Sequence, residues 1–301
     1  METTVQAPAK VNLFLRMDGK REDGYHLLFS CMQTLSLYDE ITVKVLPVEG
    51  NSTGVSFSSN CSFLTSDPKK NTAVAAAVGF LEKLLPEQYS VSIDLQKNIP
   101  SQAGLGGGSS DAAAVLKAMD ALFPGRVSKD ELADIAVSIG ADVPFFLCGG
   151  TVLCSGIGEI MVPMPDLSGL PLLLMKPQRG VSTPACYKAF DAMDGEGISD
   201  EEKRILIRGL NAPSDSEDRL IEACSAWSND LQNPAIQRVP EIQDGLDLLS
   251  RSGAVFSAMS GSGSAVFGIF KDEETIERLM GSPEYSRLIA QGWWARRALT
   301  T

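Results

Sequence analysis

Residues 100–116, Pro-Ser-Gln-Ala-Gly-Leu-Gly-Gly-Gly-Ser-Ser-Asp-Ala-Ala-Ala-Val-Leu, combine a glycine-rich loop with the start of a predicted helix. The glycines, at positions 104 and 106–108, free the backbone to turn its N–H groups inward, and the Ser-Ser-Asp-Ala-Ala-Ala run favours a helix. A helix N-terminus offers unpaired N–H donors and a partial positive charge, which suits a phosphate chain. The pattern therefore predicts an anion-binding loop, the alternative being a turn that caps a buried helix.

The two best-known phosphate loops do not fit this stretch. A Walker A loop needs a lysine followed by Ser or Thr, and no lysine lies between Lys97 and Lys117. The dinucleotide fingerprint fails because Ser109 stands where its third glycine is required. The loop therefore belongs to a different class of phosphate-binding motif.

Composition places the chain among globular proteins. Its 301 residues are 44% hydrophobic and 21% charged, enough for one large domain or two of ordinary size. We expect no membrane span and, from the N-terminal residues, no export signal, so we predict a cytoplasmic protein. The net charge of −12 argues against nucleic acid as a partner.

The six cysteines form no Cys-x-x-Cys pair, and the chain is of a size that does not need disulfides. We therefore predict that they are reduced and buried. With a single histidine in the chain, a zinc site built from protein ligands alone is not expected.

Periodicity and turn residues predict an α+β fold. Two Asp-Gly pairs in residues 18–26 predict a hairpin tip, and the glycines and prolines of residues 151–169 suggest a domain boundary. We accordingly divide the chain into domains at 1–160 and 161–301. Predicted helices cover 71–85, 112–122, 129–139 and 273–280, and predicted strands 5–17, 27–46, 89–97 and 171–176, with a strand-turn-strand over 254–270.

Three motifs in order along the chain carry a resemblance to a known family. Residues 100–113 resemble the ATP loop of the GHMP kinase superfamily, which is named for galactose, homoserine, mevalonate and phosphomevalonate. Ala7-Pro-Ala-Lys-Val-Asn-Leu13 and Met259-Ser-Gly-Ser-Gly-Ser-Ala265 resemble its first and third motifs. The resemblance implies a two-domain fold with ligands in the cleft between the domains, and phosphoryl transfer from ATP, with Mg²⁺, to a small alcohol.

Within the superfamily, Gly24-Tyr-His26 and Gly140-Ala-Asp-Val-Pro-Phe-Phe146 are similar to members that phosphorylate a cytidine diphosphate-linked alcohol. This likeness implies a small-molecule cytidine diphosphate substrate, and we expect a monomer or a weak homodimer. Two alternatives stay open: a sibling kinase acting on homoserine or mevalonate, and a catalytically silent nucleotide-binding protein. An ADP-release assay with each substrate separates them.

Asp142 is the candidate proton acceptor, because phosphoryl transfer needs a carboxylate that receives the hydroxyl proton. From local sequence alone, Asp-x-Pro is more typical of a helix N-cap. Lys10 lies on a predicted strand among apolar neighbours and is either a solvated edge charge or a half-buried ammonium. The resemblance implies that Lys10 and Asp142 act together, with Lys10 keeping Asp142 ionised.

A cytosine ring suits an aromatic face beside a hydrogen-bonding side chain. The resemblance implies that His26 binds the cytosine edge and that Tyr25 and Tyr187 enclose the ring, while a packed hairpin tip is the structural alternative for the first two. Asn12 shares a strand face with Lys10, and we expect it to contact the substrate.

The residues expected to bind ATP form one segment. Ser109 and Ser110 either contact phosphate or Mg²⁺ through their hydroxyls or cap the helix, and Ser110 is the candidate metal ligand. We expect Asp111 to face the substrate or a cationic neighbour. Gly261 and Gly263 approach the same phosphates or form a plain hairpin turn. The predicted ATP-binding residues are Pro100, Ala103, Gly104, Leu105, Gly106, Gly107, Gly108, Ser109 and Ser110.

Overall fold

The computed structural model describes residues 1–48, 54–85, 87–193, 197–211, 221 and 223–301. Two compact units account for the packing. The first unit is Met1–Ala9, Leu37–Pro100 and Gly106–Gly149, and the second is Lys10–Ser36, Ser101–Leu105 and Gly150–Thr301. The units interleave along the chain, so the division at residue 160 and a ligand cleft stay predictions.

The structure mixes helices and strands, as an α+β chain does. The strands are β1 (Glu2–Lys20), β2 (His26–Pro47), β3 (Gly54–Ser59), β4 (Tyr89–Gln96), β5 (Thr151–Ser155), β6 (Ile160–Pro163), β7 (Pro171–Lys176), β8 (Phe256–Met259), β9 (Val266–Ile269) and β10 (Trp294–Leu299). The helices are α1 (Thr72–Lys83), α2 (Gly107–Leu122), α3 (Lys129–Ile139), α4 (Val143–Cys148), α5 (Thr183–Asp191), α6 (Asp200–Asn211), α7 (Gln232–Arg238), α8 (Glu241–Arg251), α9 (Glu273–Met280) and α10 (Pro283–Ala290).

In the first unit, β4 pairs antiparallel with the second half of β2 and parallel with β3. Alternate residues of β4 are buried, which is the period-2 pattern of a strand with one covered face. Helix α2 packs against α1, α3 and α4, and α1 also contacts β3 and β4. The buried side chains of Phe80, Phe145 and Phe146 belong to the core of this unit.

Local signals explain where the helices of the first unit begin. The side chain of Asn71 accepts hydrogen bonds from the Ala73 and Val74 N–H groups and caps α1. Ser128 and Glu131 form a capping box at α3, and Gly140 follows its last residue, as predicted. Helix α2 begins at Gly107, and the predicted start at residue 112 was wrong by five positions. Gly106 adopts φ +72°, so the chain turns there and enters the helix without a side-chain cap.

The second unit contains an antiparallel four-stranded sheet in the order β10-β7-β9-β8. Helix α8 packs on β7, β8 and β9, and α9 contacts β7. The buried side chains of Leu173, Met259 and Phe270 belong to this core. The predicted strand-turn-strand and the helix after it are confirmed as β8, β9 and α9.

The structure adds detail to two expectations from the sequence. Residues 151–163, part of the segment that suggested a domain boundary, form the antiparallel hairpin of β5 and β6, and β5 also pairs with residues 30–33 of β2. Its glycines, at positions 156 and 158, have positive φ and form the turn of that hairpin. All six cysteines are free as expected, but the expectation that they are buried is wrong for two cysteines of the first unit, since Cys148 is exposed and Cys61 is only partly buried.

The hairpin predicted for residues 18–26 is confirmed between β1 and β2. The Arg21 N–H donates to the Tyr25 carbonyl at 2.8 Å, and the Gly24 N–H donates to the Arg21 carbonyl at 3.0 Å. In the described part of the chain, no helix combines the length and apolar character needed to cross a bilayer.

Candidate active site

The first half of the glycine loop lies against the turn between β8 and β9, within the second unit. The Ser260 hydroxyl donates to the Gly104 carbonyl at 2.8 Å, and the Ala265 N–H donates to the Ala103 carbonyl at 3.0 Å. Gly104 has φ +74°, and a Cβ built on it would lie 2.0 Å from the Ser260 carbonyl oxygen. Only glycine fits this conformation and this approach.

Lys10 and Asn12 lie beside the same two glycine segments. The buried Lys10 ammonium donates to Asn12 Oδ1 at 2.5 Å, and the Lys10 N–H donates to the Leu105 carbonyl at 3.0 Å. A Cβ built on Gly261 would lie 3.3 Å from both Lys10 Nζ and Asn12 Oδ1. Three segments that the sequence motifs single out therefore meet around one buried ammonium.

The second half of the loop leads into α2 in the first unit. In an α-helix the first N–H groups have no intrahelical acceptor, so those of Gly107, Gly108 and Ser109 remain available to an anion. The hydroxyl of Thr72 donates to the Gly108 carbonyl at 2.6 Å. Ser109 is partly buried, whereas the Ser110 Oγ is fully buried and has no hydrogen-bond partner. Pro100, just before the loop, is also partly buried.

Asp142 is the residue immediately before α4. Its side chain is partly buried and makes no capping hydrogen bond to the helix, although Pro144 stands in the first turn. The helix-cap interpretation of Asp142 is therefore not supported by its geometry. A role as proton acceptor stays a prediction.

Three charged residues of the first unit form the cluster that we call the loop-end cluster: Asp39, Lys97 and Asp111. Lys97 Nζ donates to Asp39 Oδ2, and to Asp111 Oδ2 at 2.8 Å. Of the two orientations expected for Asp111, it therefore adopts the one toward a cationic neighbour. Burial raises the pKa of Asp111 to about 7, the Lys97 ammonium opposes that shift, and the Asp39 carboxylate adds to it.

His26 lies among residues of α5 in the second unit. Its ring centroid is 5.0 Å from that of Tyr187 and 6.1 Å from that of Phe190. His26 Nε2 lies 2.6 Å from Asp191 Oδ1, and an ionised carboxylate accepts only, so Nε2 carries the hydrogen and Nδ1 is left for another partner. Hydrogen bonds from Lys20 and then His26 lower the pKa of Asp191.

Tyr25 is placed differently from its predicted partner Tyr187. It is 62% exposed at the hairpin tip, where its backbone N–H donates to Asp23 Oδ1 at 3.2 Å. A cavity of about 280 Å³ lies next to His26, lined also by Lys20, Phe190 and Asp191. The structure thus brings His26 and Tyr187 together and leaves Tyr25 in solvent.

Comparison with known proteins identifies the family of the chain. The family model for the GHMP kinases N-terminal domain matches residues 71–150, and that for the GHMP kinases C-terminal region matches residues 215–281. A 4-diphosphocytidyl-2-C-methyl-D-erythritol kinase of Clostridium botulinum strain Eklund 17B is 39% identical over 272 residues, covering 89% of this chain and 91% of the relative. The chain belongs to the GHMP kinase family.

Two further relatives of this GHMP kinase are also named as kinases of a cytidine diphosphate-linked methylerythritol. One, from Clostridium perfringens strain 13, is 38% identical over 286 residues and covers 94% of this chain and 95% of its own. The other is a crystal structure of a 4-(cytidine 5'-diphospho)-2C-methyl-D-erythritol kinase, with 33% identity and a TM-score of 0.74 over 99% of this chain and all of that one. Membership of the family makes the chain a small-molecule kinase with ATP as its phosphate donor.

Several polar residues at the site of this GHMP kinase had no role in the sequence analysis. The Asn229 amide donates to the Met259 carbonyl at 2.7 Å and to the Gly261 carbonyl at 2.8 Å, and so fixes the turn after β8. The Ser30 hydroxyl accepts from the Asn12 amide at 2.8 Å. Neither residue lies in a recognisable motif, and no pattern along the chain could have indicated these contacts.

Asp191 is a third residue that the sequence analysis missed. It lies in the last turn of α5, four residues after Tyr187, so the two side chains share one helix face. That spacing was visible in the sequence. The pairing of Asp191 with His26 could not be seen in the sequence, because it joins residues 165 positions apart.

Proposed function

We propose that the chain transfers the γ-phosphoryl group of ATP to the 2-hydroxyl of 4-diphosphocytidyl-2-C-methyl-D-erythritol, giving the 2-phosphate and ADP. The observation that carries the phosphoryl transfer is the buried Lys10 ammonium beside Asn12 and Gly261. The cytidyl substrate is supported by the relatives of that name at 38–39% identity. In the product the 2-hydroxyl oxygen has formed a bond to the γ-phosphorus, and the bond from that phosphorus to the β-phosphate bridge is broken.

Lys10 and Asp142 are the proposed catalytic residues. Phosphoryl transfer requires mainly positioning and neutralisation of charge, and a fixed ammonium such as that of Lys10 stabilises negative charge on the transferred group. Its hydrogen bond to Asn12 holds the ammonium in place. Asp142 takes up the proton of the 2-hydroxyl as the new bond forms. Asn12, held by Ser30, is the proposed contact to the substrate alcohol.

The proposed ATP site is the loop from Pro100 to Ser110. The N–H groups at the start of α2 are suited to the phosphate oxygens, and Ala103 and Leu105 are buried and keep the loop in place. Mg²⁺ is expected to accompany ATP and to neutralise charge on its phosphates. The buried, unpartnered Ser110 hydroxyl is an oxygen donor of the type that Mg²⁺ prefers, and we assign it as a metal ligand.

His26, Tyr187 and Tyr25 are the proposed cytosine-binding residues. The face of Tyr187 offers stacking, and the Nδ1 of His26 is left to hydrogen bond with the base edge because Asp191 accepts from Nε2. Tyr25 is exposed, and it would contact the base only on the outer side. We also propose that the protein works in the cytoplasm and that it is a monomer or a weak homodimer. Sedimentation of the purified chain tests the oligomeric state.

A coupled ADP-release assay tests this function. Purified protein with Mg-ATP should release ADP when 4-diphosphocytidyl-2-C-methyl-D-erythritol is added, and not with homoserine or mevalonate. A response to homoserine or mevalonate alone would make the chain a sibling kinase. A flat trace with every alcohol, in a protein that still binds ATP, would make it a silent nucleotide-binding protein.

A further inference from the structure

We infer that Asp191 selects cytosine over uracil in the substrate, because it fixes which ring nitrogen of His26 carries the hydrogen. The inference rests on the proposed function, since it deepens the assignment of His26 to the cytosine edge. All of the residues concerned belong to the second unit. Asp191 is a positioning residue: it acts on the base through His26 and takes no part in the chemical step.

Both oxygens of the Asp191 carboxylate are engaged. Oδ1 lies 2.6 Å from His26 Nε2, and Oδ2 accepts from the Lys20 ammonium at 2.9 Å. Hydrogen bonds from Lys20 and then His26 lower the pKa of Asp191, so the carboxylate is ionised at neutral pH and can only accept. The hydrogen between the two side chains therefore belongs to Nε2, and in the neutral imidazole Nδ1 is an acceptor.

The surroundings of His26 hold its ring in this orientation. The side chain is only 11% exposed, and the ring centroids of Tyr187 and Phe190 lie 5.0 Å and 6.1 Å from its own. Turning the ring over would carry Nε2 away from Asp191 and put a carbon atom in its place. The acceptor at Nδ1 is therefore fixed in position as well as in chemical character.

An acceptor at Nδ1 distinguishes the two pyrimidines. Cytosine has one hydrogen-bond donor on its pairing edge, the 4-amino group, and Nδ1 can accept from it. Uracil in the same pose presents its O4 oxygen, so two acceptors would face each other without a hydrogen between them. A site built to accept from a substrate N–H group rejects the analogue that lacks it, because its own polar group is left unpaired.

Asp191→Asn should change this selection because Lys20 can only donate. The oxygen of the new amide would face the Lys20 ammonium, and its NH2 group would face His26 Nε2. Nε2 must then accept, so the hydrogen moves to Nδ1, which becomes a donor suited to uracil O4. Cytosine can bind only after the amide turns over and releases the exposed Lys20, which raises the KM for the cytidyl substrate by less than the loss of His26 does.

The test compares kcat/KM for 4-diphosphocytidyl-2-C-methyl-D-erythritol with that for its uridyl analogue at about pH 8, where an imidazole is ordinarily neutral. The unmodified protein should prefer the cytidyl compound by about 100-fold. Asp191→Asn should reduce that preference by about tenfold or more and use the uridyl analogue better than the unmodified protein does. The matched control is Asp244→Asn, the same replacement at an exposed position of α8, which should leave both values unchanged.

Adding Lys20→Met to Asp191→Asn tests the geometry further. Without the ammonium, the amide can turn its oxygen to His26 Nε2, and most of the preference for the cytidyl compound should return. A purely structural role of Asp191 predicts no such recovery, because the second replacement only removes the remaining partner of an ion pair. A preference that does not recover would overturn the inferred control of the tautomer.

The tautomer can be observed directly because His26 is the only histidine of the chain. Long-range nitrogen–proton NMR spectra of the untagged, isotope-labelled protein should show the hydrogen on Nε2, and on Nδ1 in Asp191→Asn. A hydrogen on Nδ1 in the unmodified protein would overturn the inference, as would a cytidyl preference that falls by less than about threefold in Asp191→Asn.

Two further outcomes are informative. If Asp191→Asn fails to fold, the spectrum of the unmodified protein and its preference between the two substrates decide the inference. Equal use of the cytidyl and uridyl compounds by the unmodified protein would overturn the inference and leave the proposed function standing. Failure to phosphorylate either compound would instead refute the proposed function.

Discussion

Replacing Gly104 with alanine would place a methyl group 2.0 Å from the Ser260 carbonyl oxygen, at a backbone φ of +74°. The left-handed conformation costs an L-residue about 1–2 kcal/mol. Relieving the contact requires the loop or the turn after β8 to move by more than about 1 Å, and overpacking of this kind costs about 1–3 kcal/mol. The two terms together predict that Gly104→Ala lowers the free energy of unfolding by about 2–5 kcal/mol.

Gly150→Ala is the matched control for this prediction. Gly150 has the same φ of +74° and lies in the same unit, but a Cβ built on it meets no atom within 4 Å. Gly150→Ala should therefore lower the free energy of unfolding only by the cost of the left-handed conformation, about 1–2 kcal/mol. Urea denaturation of both variants measures the difference. Equal losses of unfolding free energy in the two variants would refute the claim that the glycine loop is held against the Ser260 turn. The Gly104 variant should also bind Mg-ATP more weakly.

The other predictions concern individual side chains. His26→Ala should raise the KM for the cytidyl substrate roughly 5- to 150-fold in steady-state kinetics and leave that for ATP almost unchanged, because polar groups of the base lose their partner; equal losses for both would make His26 structural. Asp191→Asn should raise the same KM by less than His26→Ala does, without lowering kcat, since it only loosens the hold on His26; a kcat effect would contradict this. Asp142→Asn should lower kcat by about 100-fold or more with affinities within a few-fold, and near-normal turnover would remove Asp142 from the chemistry. The pKa of Asp111 is raised in the folded protein, so its contribution to stability is present below about pH 4 and lost as pH rises to about 7. Asp111→Asn should thus gain stability relative to the unmodified protein over that range in urea titrations, and a constant difference would count against the raised pKa.

Much of the fold was predictable because its signals are local. Helix α3 begins at a capping box and ends before a glycine, and both features are visible in a window of a few residues. Strand β4 alternates apolar and polar side chains, so its buried face could be assigned without knowing its neighbours. Where such signals were present, the predicted and observed bounds nearly coincide.

Errors arose where glycine serves more than one purpose. The start of α2 was placed at residue 112, after the glycines, yet Gly107 and Gly108 are helical and Gly106 makes the turn. The glycines and prolines of residues 151–169 suggested a domain boundary, and within that segment Gly156 and Gly158 form the turn of the hairpin of β5 and β6. Composition alone does not distinguish a turn within an element pair from a linker.

The motifs gave the residues around Lys10 but not the contacts that hold them. Asn229 is joined to the turn after β8 across about 30 positions, and Asp39 is joined to Lys97 across 58. Such pairings follow from the packing of strands that are distant in sequence. They become visible only when the chain is folded, which is why the loop-end cluster was absent from the sequence analysis.

The most direct test of the central claim is the identity of the phosphorylated product. Phosphorus NMR of a reaction with Mg-ATP and 4-diphosphocytidyl-2-C-methyl-D-erythritol should show a new phosphomonoester signal that grows as ADP forms, and carbon couplings should locate it at the 2-position. The same reaction with Asp142→Asn should produce the signal far more slowly. ATP consumption without a new phosphoester, or a phosphoester at another hydroxyl, would contradict the account.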